Sequence, residues 1–177
     1  MRRLIPLAVL MLPLVLTFCN DDDNDFVPVV NGAVEMRDDC DSVSFNAGIG
    51  VGTCTKAGGT TLTEFNNELN ANRSVAAWAF VPSTLTITVG GRIAALNTGG
   101  EEHTFTKVAN FGGGIVPALN VAGGYTSVAP ECNSLPSNAL VPPGSTFTTD
   151  EQNAVGVENY QCCIHPWMRA NVTVVAR

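Results

Sequence analysis

The chain has 177 residues, 45% of them hydrophobic and only 14% charged, so disorder throughout is excluded. A formal net charge of −7 argues against nucleic acid, whose phosphates want clustered Lys and Arg. Eight of the sixteen acids lie between Asp21 and Asp41; from Ser42 onward eight acids face six bases, leaving that part nearly neutral. The only histidines are His103 and His165, which rules out any site built on three or more.

Arg2 and Arg3 precede an apolar run from Leu4 to Phe18 that contains Pro6 and Pro13. Fifteen residues are short for a bilayer span and suit an export signal over residues 1–18. The run ends Leu16-Thr17-Phe18-Cys19, which resembles a bacterial lipoprotein signal with Cys19 as the lipidated residue; a plain signal or an uncleaved anchor is the alternative. All three export the chain, to the periplasm or cell surface, and all permit disulfides. Residues 19–41, with Asp21-Asp22-Asp23 and Asp25, read as an acidic flexible tether. Residues 42–177 remain for a single domain, large enough for one core.

Within that domain Thr61 and Glu64 have capping-box spacing, and Phe65 and Leu69 share a face, predicting one short helix over 61–69. Elsewhere the pattern is strand and turn. Val75 to Val81 is largely apolar, and Thr84 to Val89 alternates Leu85, Ile87 and Val89 with threonines. Gly90-Gly91 turns the chain, and Arg92 to Leu96 returns. His103 to Val108, Ser145 to Thr149, Val157 to Cys162 and Asn171 to Ala176 follow. About seven to eight short strands imply an all-β Greek-key sandwich or barrel. Between Asn110 and Pro143 the pattern gives way to a long loop excursion rich in Gly and Pro, of the kind that is functional or pinned.

The chemistry concentrates in Tyr160-Gln161-Cys162-Cys163-Ile164-His165-Pro166-Trp167-Met168. Cys-x-x-His-x-x-Met places a thiolate, an imidazole and a thioether on one tight loop, and His103 heads a distant strand. Those four donors, Cys162, His103, His165 and Met168, match a trigonal His₂Cys copper site with a weak axial Met. A zinc site of Cys and two His is chemically possible, but Met in the fourth position favours copper. Packed or disulfide-bonded residues are the plainer alternative, against which both histidines of the chain fall in the motif.

The C-terminal loop resembles the copper loop of cupredoxins, its Cys-x-x-His-Pro-x-Met-Arg form being similar to amicyanin. Phe80-x-Pro82, Leu85 to Gly90, Asn97-Thr98-Gly99 and His103 resemble the plastocyanin-type framework. The resemblance covers about residues 78–107 and 156–175. It implies a cupredoxin-like fold, one copper per chain held by His103, Cys162, His165 and Met168, and His165 as a partly exposed electron port. Pro166 and Trp167 would then belong to an apolar docking patch, and Phe105 and Trp167 to the wall of the site. Thr104 stands where the family usually has Asn, and its hydroxyl can make a similar bond across to the copper loop.

Six cysteines need assignment. With Cys19 in the signal region and Cys162 kept free for metal, four remain, and three pairings are open. Cys40–Cys54 is the local choice, leaving Cys132–Cys163 to staple the excursion beside the loop. Strand alternation supports the second pair, since Cys163 must point away from Cys162. A strained Cys162–Cys163 bridge is the rival. The function expected is an exported, monomeric one-electron carrier whose partners are redox proteins such as cytochromes or an oxidase. Membrane contact is expected only through a lipid at Cys19. A copper storage or delivery module is the alternative, though the chain has no Met-rich tract. An enzyme is not expected: copper oxidases need further histidines, and no Gly-x-Ser-x-Gly elbow occurs.

Overall fold

A computed structural model describes residues 27–177 of the chain. The export signal, Cys19 and the acidic run lie outside the described residues. Among the described residues eight strands form two mixed four-stranded sheets. The first has the order β2 (Ala79–Val81), β1 (Gly32–Arg37), β4 (Ile93–Asn97), β6 (Thr146–Thr148). The second runs β3 (Thr84–Thr88), β8 (Arg169–Val175), β7 (Gly156–Gln161), β5 (Thr106–Val108). Two-residue alternation decides which side chains point inward: Val34 and Met36 from β1, Ile93 and Ala95 from β4, and Ala170, Val172 and Val174 from β8 share one core. The result is an open sandwich rather than a closed barrel.

Three expectations need correction. The tether does not reach residue 41, because the chain is already strand from Gly32, and β1 pairs antiparallel with β2 and parallel with β4. Its two inward residues are masked in the sequence by Glu35 and Arg37, which face outward and pair with each other. Gly90-Gly91 does not close a hairpin; it carries the chain from β3 in one sheet to β4 in the other. Gly90 has φ of 85°, and a Cβ on Gly91 would overlap the Val30 carbonyl, so both positions need glycine.

The described residues also hold three α-helices, not one. The expected helix is α2 (Leu62–Asn72), with the Thr61–Glu64 capping box formed in both directions. Before it, α1 (Ser42–Gly48) is capped by Asp41, whose carboxylate accepts from the Ser44 N–H at 2.9 Å. The excursion supplies α3 (Pro117–Gly123), opened by proline and closed by Gly124 in the left-handed region, followed by a 3₁₀ turn at Pro130–Ser134. α2 packs against both α1 and α3. No helix among the described residues is long and apolar enough to cross a membrane.

Of the three pairings open in the sequence, the structure joins Cys40 to Cys54 and Cys132 to Cys163, with Cα atoms 6.1 and 5.4 Å apart. The second bridge spans 31 residues and ties the 3₁₀ turn to the loop after β7. Its removal in a Cys132→Ala/Cys163→Ala double variant is expected to lower unfolding stability by about 3–4 kcal/mol through loop-closure entropy. A urea midpoint indistinguishable from wild type would show that the excursion is held by packing alone.

Candidate metal centre

His103, Cys162 and His165 converge at one end of the sandwich, each offering a donor atom within 4.8 Å of the others. Three separate devices bring them there. β4 ends at Asn97, a fully buried side chain whose Nδ2 donates to the carbonyls of Glu101 (2.7 Å) and Val141 (2.8 Å). Its Oδ1 accepts from the Gly99 N–H, so one asparagine folds the 98–102 loop that delivers His103. The His103 backbone is then clamped to Val141 by two hydrogen bonds. β7 delivers Cys162, and the loop to β8 closes when the Cys162 N–H donates to the Met168 carbonyl at 3.0 Å and the Met168 N–H to that of His165 at 2.9 Å.

Nδ1 is the inward nitrogen of both rings, 3.8 Å (His103) and 4.0 Å (His165) from Cys162 Sγ. The sulfur also accepts from the backbone N–H groups of Thr104 and His165, each at 3.4 Å. Cys162 is the free cysteine of the described residues and has no exposed surface. Burial alone would push its thiol up, but the hydrogen bonds and charges of His103 and His165 outweigh burial and hold it well below the ordinary range. Met168 is fully buried at the far end of the same loop. Thr104 makes the cross-loop bond expected of it: its hydroxyl accepts from the Cys163 N–H at 2.8 Å and is itself held by Thr106. Phe105 stacks on Tyr160, 4.4 Å between centroids, and leans on Phe80 in the main core.

His165 is not the partly exposed residue expected. Only 3% of its surface is exposed, and Pro166 is buried as well. The cause is the helical layer, which the sequence pattern barely shows. Phe65 of α2, Trp78 and Trp167 surround the ring at centroid distances of 6.4, 6.5 and 5.5 Å. A cleft of about 450 Å³ between α1, α2 and α3, walled by Phe45, Leu62, Phe65, Leu119 and Ile164, leads down to His165 and Glu101.

Behind the two rings stand two acids not singled out in the sequence. Asp38 Oδ2 lies 2.8 Å from His103 Nε2, and Glu101 Oε2 lies 3.5 Å from His165 Nε2. Burial raises the Asp38 pKa, yet hydrogen bonds from His103 and the N–H groups of Gly100 and Glu101 outweigh it and bring the carboxyl down to about 2. For His103, burial favours the neutral ring, but Asp38 and Cys162 together lift it to about 9. Burial is the main influence on Glu101 and raises it, partly offset by His165 and the Trp78 N–H. One signal for Asp38 does exist in the sequence: continuing the period of Val34 and Met36 puts residue 38 on the inward face. Glu101 has none.

No family model matches this sequence, and no curated protein does. Among solved structures the chain is similar to a purple cupredoxin from Nitrosopumilus maritimus, at 16% identity over 81% of this chain and 99% of that one, with a TM-score of 0.43. A plastocyanin from Dryopteris crassirhizoma gives 16% identity over the same shares and a TM-score of 0.39. An amicyanin variant in its reduced Cu(I) form gives 19% over 57% and 77%, at 0.37. Likenesses this loose say nothing of chemistry. The fold is an open β-sandwich of two mixed four-stranded sheets, and it carries a buried His-Cys-His group at one end. Two imidazole Nδ1 atoms and a thiolate suit copper or zinc by donor type.

Proposed function

We propose that the protein binds one copper ion through His103, Cys162, His165 and Met168 and carries single electrons between redox partners outside the cytoplasm. The observation that carries this reading is the convergence of both Nδ1 atoms on a buried sulfur that two backbone N–H groups already stabilise. Copper would supply the one-electron couple. The chain's part is to hold the donors still, exclude water and offer a path. Rigidity comes from Asn97, Thr104 and the Cys132–Cys163 bridge, which fix the two loops against each other. Met168, the third donor of the Cys-x-x-His-x-x-Met loop, would complete the set with a weak thioether rather than a fourth strong ligand.

Because His165 is roofed by the helices, the route to it is the apolar cleft rather than a flat patch around Pro166 and Trp167. A redox protein would present a projecting apolar edge there. The two disulfides support an exported protein, and the lipid at Cys19 belongs to the same proposal. Titrating the purified, disulfide-intact protein with Cu(II) should give an intense thiolate-to-copper band in the visible that saturates at one equivalent. Weak blue-green absorption without saturation would sink the reading.

A further inference from the structure

Both ligand histidines of the proposed centre have a buried carboxylate on the nitrogen that faces away from the sulfur, and the fold goes to some length to put them there. Asp38 follows β1 directly. Parallel pairing of β1 with β4 sets Met36 opposite Asn97, so the residue two places beyond Met36 meets the loop that starts at Thr98. There its carboxylate accepts from the N–H groups of Cys40 (3.2 Å), Gly100 (2.9 Å to both oxygens) and Glu101 (3.0 Å), as well as from His103. The fit is tight, since a Cβ at Gly99 would overlap the carboxylate. Neither the Asp38 nor the His103 side chain has exposed surface. Glu101 is held by the Trp78 Nε1–H, which donates to Oε2 at 2.7 Å.

With a metal bound the ring is neutral, and a neutral imidazole that donates from Nε2 presents its lone pair at Nδ1, which is the nitrogen beside Cys162 in both rings. We infer that Asp38 is a positioning residue, holding His103 with Nε2–H donated and Nδ1 aimed at the metal, while Glu101, 3.5 Å from His165 Nε2 and held by Trp78, sets a second carboxylate behind the other ring. Resting on the copper reading above, the pair has a second consequence. Two buried negative charges behind the donor set favour the more highly charged Cu(II) over Cu(I), because low dielectric leaves them little screened. Asp38, at 2.8 Å against 3.5 Å, carries the larger share.

The test uses the full protein in three variants that keep every ligand. Asp38→Asn keeps the shape and an acceptor oxygen but removes the charge; Glu101→Gln does so at the second ring. Thr61→Ala weakens the α2 cap away from both. With copper bound, Asp38→Asn should retain the thiolate band while the Cu(II):Cu(I) affinity ratio falls about tenfold, read as a reduction potential raised by about 59 mV. Glu101→Gln should shift it the same way by less, and Thr61→Ala not at all. By nuclear magnetic resonance the His103 Nε2–H proton should exchange slowly in the wild type, with or without metal, and shift in Asp38→Asn. An unchanged potential in Asp38→Asn, a shift of equal size in Thr61→Ala, or a rapidly exchanging Nε2–H in the wild type would overturn the assignment. The proton measurement needs no copper, so it separates failure of this inference from failure of the copper reading, which the missing band would reveal. It also decides the positioning role if Asp38→Asn does not fold.

Discussion

Cys162→Ser is expected to abolish the visible thiolate-to-copper band outright and to weaken Cu(II) binding by more than the roughly 100-fold that outer-shell changes reach. The loss follows from the donor set. Cys162 is the free cysteine among the described residues, and the four others there are tied in two disulfides. A serine oxygen is harder, less polarisable and not ionised at neutral pH, so two imidazoles and a thioether would be left to hold the metal. The fold should survive, because a hydroxyl can accept from the same Thr104 and His165 N–H groups that now meet the sulfur. Metal-free Cys162→Ser should therefore unfold within about 1 kcal/mol of metal-free wild type. A variant that still gave the band would place the thiolate elsewhere in the chain. One that lost the band and also unfolded would make Cys162 chiefly a packing residue.

The donor loop could be read in the sequence because its chemistry is local: Cys162, His165 and Met168 lie within seven residues, and the chain has no other histidine except His103. Helix α2 was legible for the same reason, since a capping box and a Phe65–Leu69 face are short-range features. Strand β3 in its sequence and strand β8 in its burial show their two-residue alternation openly. What stayed hidden depends on pairing between distant segments. β1 has only two inward side chains, set among acids that make it look like spacer, and its place between β2 and β4 is a tertiary fact. α1 buries just Phe45, and α3 buries only a glycine, so neither carries a helical period to detect. The burial of His165 stayed hidden for the same reason, since Phe65 of α2, Trp78 and Trp167 close around its ring only once distant segments pack together. Asp38 is the sharpest case, since its partner is 65 residues away and only the β1–β4 register brings them together.

Trp78→Ala is expected to cost about 3–5 kcal/mol of unfolding free energy, the range for emptying a large aromatic site. Trp78 is 1% exposed and is where the helical layer meets the sandwich. It stacks on Phe45 of α1 at 5.9 Å, meets Phe65 of α2 edge-on at 4.8 Å, and its Nε1–H satisfies Glu101. Trp78→Phe separates packing from hydrogen bonding: much of the volume stays, but a buried carboxylate oxygen loses its 2.7 Å donor, a change of about 1–3 kcal/mol. Urea unfolding followed by circular dichroism decides what the helices are. Phe45, Phe65 and Leu69 share one continuous core with Ile87, Ile93 and Val172 of the strands. Both variants should therefore unfold in a single transition shifted to lower urea. Two transitions would make the layer a separable lid, and a Trp78→Ala midpoint near wild type would show that the cap rests on the sandwich without supporting it. A single shifted transition ties the roof over His165 to the stability of the whole domain, so the shielding of the centre cannot be relaxed without loosening the fold that holds His103 and Cys162 in register.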